Sequence, residues 1–187
     1  MLSLRHRLRA VHTLATGGVI AYPTEAVWGL GCDPFNAAAV ERLLALKRRP
    51  AHKGLILVAA DQEQIAPLLE GLTDPQREQL NRTWPGPVTW LISDLHNRIP
   101  ANVKGNSTSV AVRVSAHPLV RELCRAWGGP LVSTSANRTG QDPFRSEWAL
   151  RRHGLLQPDL ILPGRTQQLN KPTEIRDLST GRIIRAG

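Results

Sequence analysis

SVAVRVSAHPLVRELCRAWGGPLVSTSAN, which spans residues 109–137, contains the signals of a strand, a helix and a second strand in succession. Its first six residues alternate polar and apolar side chains, the pattern of a strand with one buried face. Pro118 to Trp127 then repeats apolar residues at helical spacing, and two glycines end that helix before the apolar strand Pro130 to Val132. This strand–helix–strand order is typical of an α/β protein.

The flanking sequence continues the alternation of strands and helices. Helices are expected at residues 4–15, 36–47, 61–71, 146–153 and after Thr73, and strands at residues 19–23, 54–59, 88–92 and near residues 160, 175 and 183. The inward residues of the first helix are expected to be Leu4, Leu8, Val11 and Ala15. A loop is expected at residues 99–108. We therefore expect one α/β domain over residues 1–187, with a twisted, mixed, open sheet flanked by helices.

Composition points to an anionic ligand in a reducing compartment. The chain of 187 residues carries a formal net charge of +9, which attracts nucleotides, pyrophosphate or RNA. Cys32 and Cys124 are far apart and lack CxxC spacing, so they indicate neither a disulfide framework nor a zinc site. No apolar run has the length of a membrane span, and no signal peptide is visible. We expect a cytoplasmic protein without membrane association.

The common catalytic templates are missing from the sequence. It contains no GxxxxGK[ST] loop, no HExxH and no GxSxG, and the pair Gly29 and Gly31 lacks the third glycine of a dinucleotide-binding loop. The six histidines are scattered without metal-ligand spacing, so we expect no protein-held metal.

Four segments concentrate polar groups at the ends of the expected strands and helices, namely residues 22–31, 46–50, 109–114 and 130–137. Each has a structural explanation: a Pro and Gly turn, cations that compensate a helix dipole, a solvated arginine and a polar turn at a sheet edge. Together they also fit a binding site for anions, and the sequence physics alone leaves both explanations open.

Two of these segments suggest specific contacts. Lys47 and Arg49 lie where the second helix ends, and we expect both side chains to be exposed and able to reach one polyphosphate. In the alternating segment, Ser109, Ala111 and Arg113 share one face of the strand. An arginine on a sheet face needs a carboxylate or solvent, and a bound carboxylate or carbamate would satisfy Arg113.

The motifs YPTE-x-VWGLG, LKRRP, WPGPVT, SVAVRV-x-x-HPL, PLVSTSAN-x-x-G and IIRAG occur in this order. Over nearly the full chain this order resembles the YrdC-like family, specifically its short TsaC type. The resemblance implies a YrdC-like fold with a basic concave cavity. It implies an enzyme that makes threonylcarbamoyl-AMP from L-threonine, bicarbonate or CO₂, and ATP, with release of pyrophosphate. The resemblance also implies partner proteins of the TsaB, TsaD and TsaE type, which would transfer the threonylcarbamoyl group to adenosine 37 of tRNAs that read codons beginning with A.

The same resemblance implies roles for nine residues. Catalytic contacts to the ATP phosphates are implied for Lys47 and Arg49. Further ATP contacts are implied for Ser109, Ser135, Asn137 and Arg185. The threonine pocket is implied to contain Thr24, Arg113 and Ser133. Mg²⁺ is implied to accompany ATP through phosphate oxygens and water, with no protein nucleophile.

The chain departs from many relatives at Ala26, Lys53 and Val58, so contacts at these positions are not transferred. One alternative function is an RNA-binding protein without catalysis, because a basic concave surface can hold RNA phosphates. Another is an enzyme of this fold that acts on a different acyl or carbamoyl substrate.

Overall fold

The structure, a computed structural model, describes residues 2–154, 156–167, 169 and 173–186. The α-helices of these residues are α1 (Leu4–Ala15), α2 (Ala37–Lys47), α3 (Asp74–Thr83), α4 (Ala101–Lys104), α5 (Pro118–Trp127) and α6 (Glu147–His153). The strands are β1 (Ile20–Pro23), β2 (Trp28–Gly31), β3 (Ile56–Ala59), β4 (Val88–Ser93), β5 (Ser109–Val114), β6 (Leu131–Ser135), β7 (Leu160–Ile161), β8 (Glu174–Asp177) and β9 (Ile183–Arg185).

The strands form one mixed sheet in the order β7-β1-β2-β6-β3-β5-β4-β8-β9. The pairs β1–β7, β3–β5 and β4–β8 are parallel, and the other neighbouring pairs are antiparallel. The predicted α/β class with a mixed, open sheet is therefore confirmed.

Two apolar clusters pack on opposite faces of this sheet. Alternate residues of β3 show the division: Leu57 belongs to the cluster that contains Leu43 of α2, whereas Val58 belongs to the cluster that contains Leu123 of α5. We call the second cluster the α1/α5 layer, because α1 also contributes Leu14 to it. Each face is thus buried by its own set of helices, as the period of two along a strand requires.

The predicted inward face of α5 is confirmed, and that of α1 is wrong. Leu119, Val120, Leu123 and Cys124 are all buried. In α1, however, Leu4 is 63% and Leu8 is 62% exposed, while Ala10 and Leu14 are buried. The small Ala10 faces the core, and the Nε atom of Arg7 lies 3.6 Å from Glu122 Oε1 on α5. Packing against α5 therefore selects a different face from the one that leucine spacing suggests.

Strand β2 occupies a segment for which the sequence predicted a glycine-bearing turn. It pairs with β1 and with β6. A Cβ atom at Gly31 would lie 2.5 Å from the carbonyl oxygen of Val132 and 2.8 Å from a ring carbon of Tyr22. Gly31 is required because the Tyr22 ring and the neighbouring strand approach its backbone closely.

Two connections also differ from expectation. The helix expected after Asp61 is a 3-10 helix, Glu63–Leu69, which contains Pro67 and therefore lacks one of the amide donors of an α-helix. The expected loop at residues 99–108 contains the short helix α4, whose Lys104 Nζ donates to Asp94 Oδ2 at 2.9 Å. None of the helices in the described part of the chain combines the length and the hydropathy needed to span a bilayer.

Candidate active site

A cavity of about 520 Å³ opens on the sheet face that carries the α1/α5 layer, at the end of this face that the two helices leave uncovered. Ser109, Ala111 and Arg113 of β5 line it, together with Ser133 and Ser135 of β6. The valines that alternate with the three β5 residues belong to the cluster on the opposite face. The predicted division of β5 into a polar and an apolar face is confirmed, and the polar face forms part of the cavity wall.

Among the described residues, the charged side chains of the cavity wall are all cationic. They are Arg49, Lys53, Lys104, Arg113 and Arg185, and no Asp or Glu is among the described residues that line the cavity. Clustered positive charge in a concave site raises the local concentration of anions. The cavity volume also lies in the range of small-molecule sites.

Arg113 lies at the inner end of this cavity in a buried ion pair. Arg113 is 4% and Glu25 is 1% exposed, and Arg113 Nη2 lies 3.4 Å from Glu25 Oε2. The Oγ of Ser115 donates to Glu25 Oε1 at 2.5 Å, and Arg113 Nη1 donates to Thr173 Oγ1 at 2.9 Å. Arg113 Nε is buried and has no hydrogen-bond partner among the described residues. The guanidinium is thus held in place by Glu25 and Thr173, and its Nε–H remains available as a hydrogen-bond donor.

The Glu25 carboxyl is ionised under ordinary conditions. Its burial acts to raise the pKa, but the charge of Arg113 and the hydrogen bond from Ser115 outweigh this, and the pKa lies below the usual value. Sequence reasoning missed Glu25 and Thr173. A buried arginine signals that a carboxylate is near, but Glu25 lies 88 positions from Arg113, and only the sheet brings them together.

Arg49 reaches the cavity because the end of α2 is sharply turned. Arg48 adopts a left-handed conformation with φ of 50°, and the amide of Arg49 donates back to Leu44 O at 2.9 Å. The guanidinium of Arg49 then donates to Gly54 O at 3.1 Å from Nε and at 2.8 Å from Nη2. Burial lowers the pKa of Arg49. These contacts fix the cation in the wall.

Lys47 does not lie in the cavity wall, and the expectation of an exposed side chain is wrong. The residue is 3% exposed. Its Nζ donates to the carbonyl oxygen of Ser135, to that of Asn137 at 2.8 Å and to Asn137 Oδ1 at 3.3 Å. Burial, and secondarily the charge of Arg49, lower the pKa of Lys47 to about 8. A helix end that packs against another segment buries a cation that the sequence would place in solvent.

Of the nine predicted site residues, seven line the cavity: Thr24, Arg49, Ser109, Arg113, Ser133, Ser135 and Arg185. Lys47 and Asn137 lie behind the wall, where Asn137 Oδ1 accepts from Ser135 Oγ at 2.5 Å. The guanidinium of Arg185 donates to Thr173 O at 2.6 Å. Partial desolvation lowers the pKa of Arg185, and the positive charges of Arg113 and Arg49 lower it further. The three arginines are therefore close enough to interact electrostatically.

The three departures from the family pattern fall in different places. Ala26 and Lys53 line the cavity, whereas Val58 is fully buried in the α1/α5 layer and cannot contact a ligand there. In the part of the chain that the structure describes, no group of three or more His, Cys, Asp or Glu side chains is placed to hold a metal ion.

Comparisons with known proteins agree with this architecture. The model of the Sua5/YciO/YrdC family, described as telomere recombination, matches residues 12–187. A threonylcarbamoyl-AMP synthase of Marinobacter nauticus is 52% identical over 176 residues, which cover 94% of this chain and 93% of that protein.

Solved structures show the same fold. E. coli YciO is 27% identical, with a TM-score of 0.85 over 99% of this chain and 90% of its own. The crystal structure of P. abyssi Sua5 complexed with L-threonine is 28% identical, with a TM-score of 0.84 over 96% of this chain. The match spans 52% of that longer protein. On the family model and the sequence identity, the chain belongs to the Sua5/YciO/YrdC family.

Proposed function

We propose that the chain is a threonylcarbamoyl-AMP synthase. It converts L-threonine, bicarbonate or CO₂, and ATP into L-threonylcarbamoyl-AMP and pyrophosphate, with water as a further product when bicarbonate is used. The observation that carries this proposal is the cavity, whose charged wall residues, within the described part of the chain, are five cations and whose inner end holds a buried arginine. L-threonine, bicarbonate and ATP each carry an anionic group, and relatives of about half-identical sequence bear the name of this enzyme.

Arg113 is the proposed ligand of the threonine carboxylate. Its guanidinium is held by Glu25 and Thr173, and a planar guanidinium matches a carboxylate through paired hydrogen bonds. Thr24 and Ser133 line the same cavity and are proposed polar partners for the rest of the amino acid. The Thr24 hydroxyl donates to Val27 O at 2.8 Å, so its oxygen would accept from the ligand. The P. abyssi Sua5 complex, which contains L-threonine, supports an amino-acid site in this fold.

The nucleotide is proposed to lie against the other cations of the cavity. Arg49 and Arg185 would bind its phosphates, because both line the cavity wall and can donate to phosphate oxygens. Arg185 also interacts electrostatically with Arg49 and Arg113, so the three positive charges lie close together. Ser109 offers a hydroxyl donor to sugar or phosphate oxygens. The hydroxyl of Ser135 donates to Asn137 Oδ1, so its oxygen would accept from a sugar hydroxyl. Asn137 would act indirectly, because its Oδ1 accepts a hydrogen bond from Ser135 Oγ and so orients the Ser135 hydroxyl.

The chemistry needs positive charge and placement more than a protein acid or base. The uncharged amine of threonine adds to CO₂ and loses a proton, which gives a carbamate. A carbamate oxygen then attacks the α-phosphorus of ATP, and the bond from that phosphorus to the bridging oxygen breaks as pyrophosphate leaves. The arginines of the wall stabilise the negative charge that accumulates on the phosphates.

Magnesium is proposed to accompany ATP. The donors of the wall are cations and hydroxyl groups, so the residues fit an ion that is held by phosphate oxygens and water rather than by a protein cage. When bound, such an ion supplies further positive charge to the phosphates.

The product is proposed to serve tRNA modification in the cytoplasm. Its threonylcarbamoyl group would be transferred, by partner proteins of the TsaB, TsaD and TsaE type, to adenosine 37 of tRNAs that read codons beginning with A. The mixed anhydride of a carbamate and a phosphate is a reactive acyl donor, which suits transfer to an adenine amine.

The test is pyrophosphate release from the purified protein with ATP, magnesium and bicarbonate. L-threonine is compared with L-serine and with no amino acid. Release that requires L-threonine supports the proposal. Release that requires a different amino acid or acyl group would indicate another substrate, and no release with intact RNA binding would favour a binding protein without catalysis.

A further inference from the structure

We propose that Lys47 is a positioning residue, which holds the segment 135–139 against the end of α2 and does not contact the nucleotide phosphates. The segment 135–139 begins with Ser135, which lines the cavity. This inference rests on the proposed function, since it concerns how the same site is kept in shape for a nucleotide.

The Lys47 ammonium is engaged on the protein side. Its Nζ donates to the carbonyl oxygens of Ser135 and Asn137 and to Asn137 Oδ1. An ammonium has three N–H donors, so three oxygen acceptors use its capacity. Lys47 is also nearly inaccessible, whereas Arg49, two positions later, lies in the cavity wall.

The backbone of Lys47 binds the same segment. Its carbonyl oxygen accepts from the amide of Thr139 at 3.0 Å. Asn137 in turn uses Oδ1 to accept from Ser135 Oγ at 2.5 Å and Nδ2 to donate to Gln141 O at 2.6 Å. The ammonium and the carbonyl group of Lys47 therefore both bind the turn at residues 135–139. Within this turn, the hydrogen bond from Ser135 Oγ to Asn137 Oδ1 sets the direction of the Ser135 hydroxyl.

Removal of the ammonium takes the donor away from the carbonyl oxygen of Asn137, whereas Ser135 O keeps the amide of Asn137 at 3.0 Å and Asn137 Oδ1 keeps the hydroxyl of Ser135. A buried carbonyl that loses its partner is costly, so the segment 135–139 would move to find water. That movement displaces the Ser135 side of the site for any nucleotide, whatever its number of phosphates. Loss of a direct phosphate ligand has a different signature, because it weakens ATP binding more than AMP binding.

The experiment compares the affinities of ATP and AMP by isothermal titration calorimetry, without threonine. The variants are Lys47→Met, which keeps an unbranched apolar chain, and Arg49→Ala. Arg48→Gly is the matched control, because it removes a neighbouring exposed charge and suits the left-handed backbone.

We expect Lys47→Met to weaken ATP and AMP binding by the same factor, about 10-fold, which corresponds to loss of one to two buried hydrogen bonds. Arg49→Ala should weaken ATP binding about 10-fold more than AMP binding. Arg48→Gly should bind both like wild type. A Lys47→Met protein that loses ATP selectively, or that binds both nucleotides normally, would overturn the assignment.

Asn137→Ala extends the test to a protein whose buried lysine is intact, and the double variant Lys47→Met/Asn137→Ala tests whether the two residues act as one unit. Asn137→Ala should also preserve the ratio of ATP to AMP affinity, and the double variant should lose no more than the weaker-binding single variant. If Lys47→Met does not fold, a selective loss of ATP affinity in Asn137→Ala overturns the proposal by itself. Wild-type protein that binds neither nucleotide would instead refute the proposed function, and the role of Lys47 with it.

Discussion

The two ends of one sheet face have opposite chemistry although the same strands cross both. Under the α1/α5 layer, Val58 of β3 and Leu131 of β6 are fully buried apolar residues. Two positions beyond Leu131 on β6, Ser133 lines the cavity, and so does Arg113 on β5, the strand on the other side of β3. The side chains are apolar where a helix covers the sheet, whereas the uncovered end adds serines and arginines to apolar residues such as Ile56 and Ala111.

This difference separates stability from binding. The covered end contributes mainly through burial of apolar area, which favours folding and has no preference for a ligand. The open end keeps Arg113 buried beside Glu25, an arrangement that contributes little net stability but places a charge where substrate can meet it. Changes at the two ends should therefore produce different phenotypes.

The largest effect is expected from Leu123→Ala at the covered end. Leu123 is fully buried in the α1/α5 layer, so its truncation should lower the free energy of unfolding by about 2 to 5 kcal/mol. Urea denaturation measures the loss. The KM for L-threonine should stay within about 2-fold of wild type at a temperature where the variant is folded. A large change in KM without a loss of stability would break the division between the two ends.

Arg113→Lys should have the converse effect at the open end. Lysine keeps a positive charge beside Glu25 but loses the planar fork that matches a carboxylate. We expect the KM for L-threonine in pyrophosphate release to rise about 10- to 100-fold, with a small change in thermal stability.

The control for this variant is Arg176→Lys. Arg176 pairs with Glu174 and lies 5.7 Å above the Trp90 ring, and Trp90 belongs to the cluster on the other face of the sheet. An equal rise in KM in both variants would remove Arg113 from the threonine site.

The smallest effect is a dependence of stability on pH that comes from Lys47, behind the open end. Its pKa is about 8 in the folded protein against an ordinary value of 10.5. Between these pH values the unfolded chain retains a proton that the folded chain has released, so a rise in pH favours the folded state.

We expect the stability of wild type relative to Lys47→Met to increase by about 1 kcal/mol from roughly pH 7.5 to pH 9. Parallel urea titrations of the two proteins measure this difference. A relative stability that is flat or falls over this range would show that burial does not lower the pKa of Lys47.

The spacing of apolar residues along the sequence was enough to predict the buried faces of strand β5 and helix α5. The alternation of residues 109–114 predicted which side chains of β5 share the cavity face, and helical spacing predicted the buried face of α5. Both predictions depend only on the repeat of side-chain direction, which is two residues along a strand and about 3.6 residues along a helix, and on the burial of one face in the core. The order of the motifs along the chain predicted the family.

Features that depend on packing between distant segments were not predictable in the same way. Gly31 lies in a strand because β2 pairs with β1 and β6, and its missing Cβ leaves room for Tyr22 and Val132. Helix α1 turns a different face inward because it packs on α5. The burial of Lys47 depends on carbonyl groups about 90 positions away. Glu25 is paired with Arg113 for the same reason, so the sequence offers both groups without indicating that they meet.

The most direct test of the account is a crystal structure of this protein with L-threonine and a non-hydrolysable ATP analogue. The account predicts that both ligands occupy the cavity, with the threonine carboxylate hydrogen-bonded to Arg113 at about 3 Å and phosphate oxygens at Arg49. It also predicts that the Lys47 ammonium remains on the segment 135–139. Ligands bound outside the cavity, or a threonine carboxylate that does not contact Arg113, would contradict it.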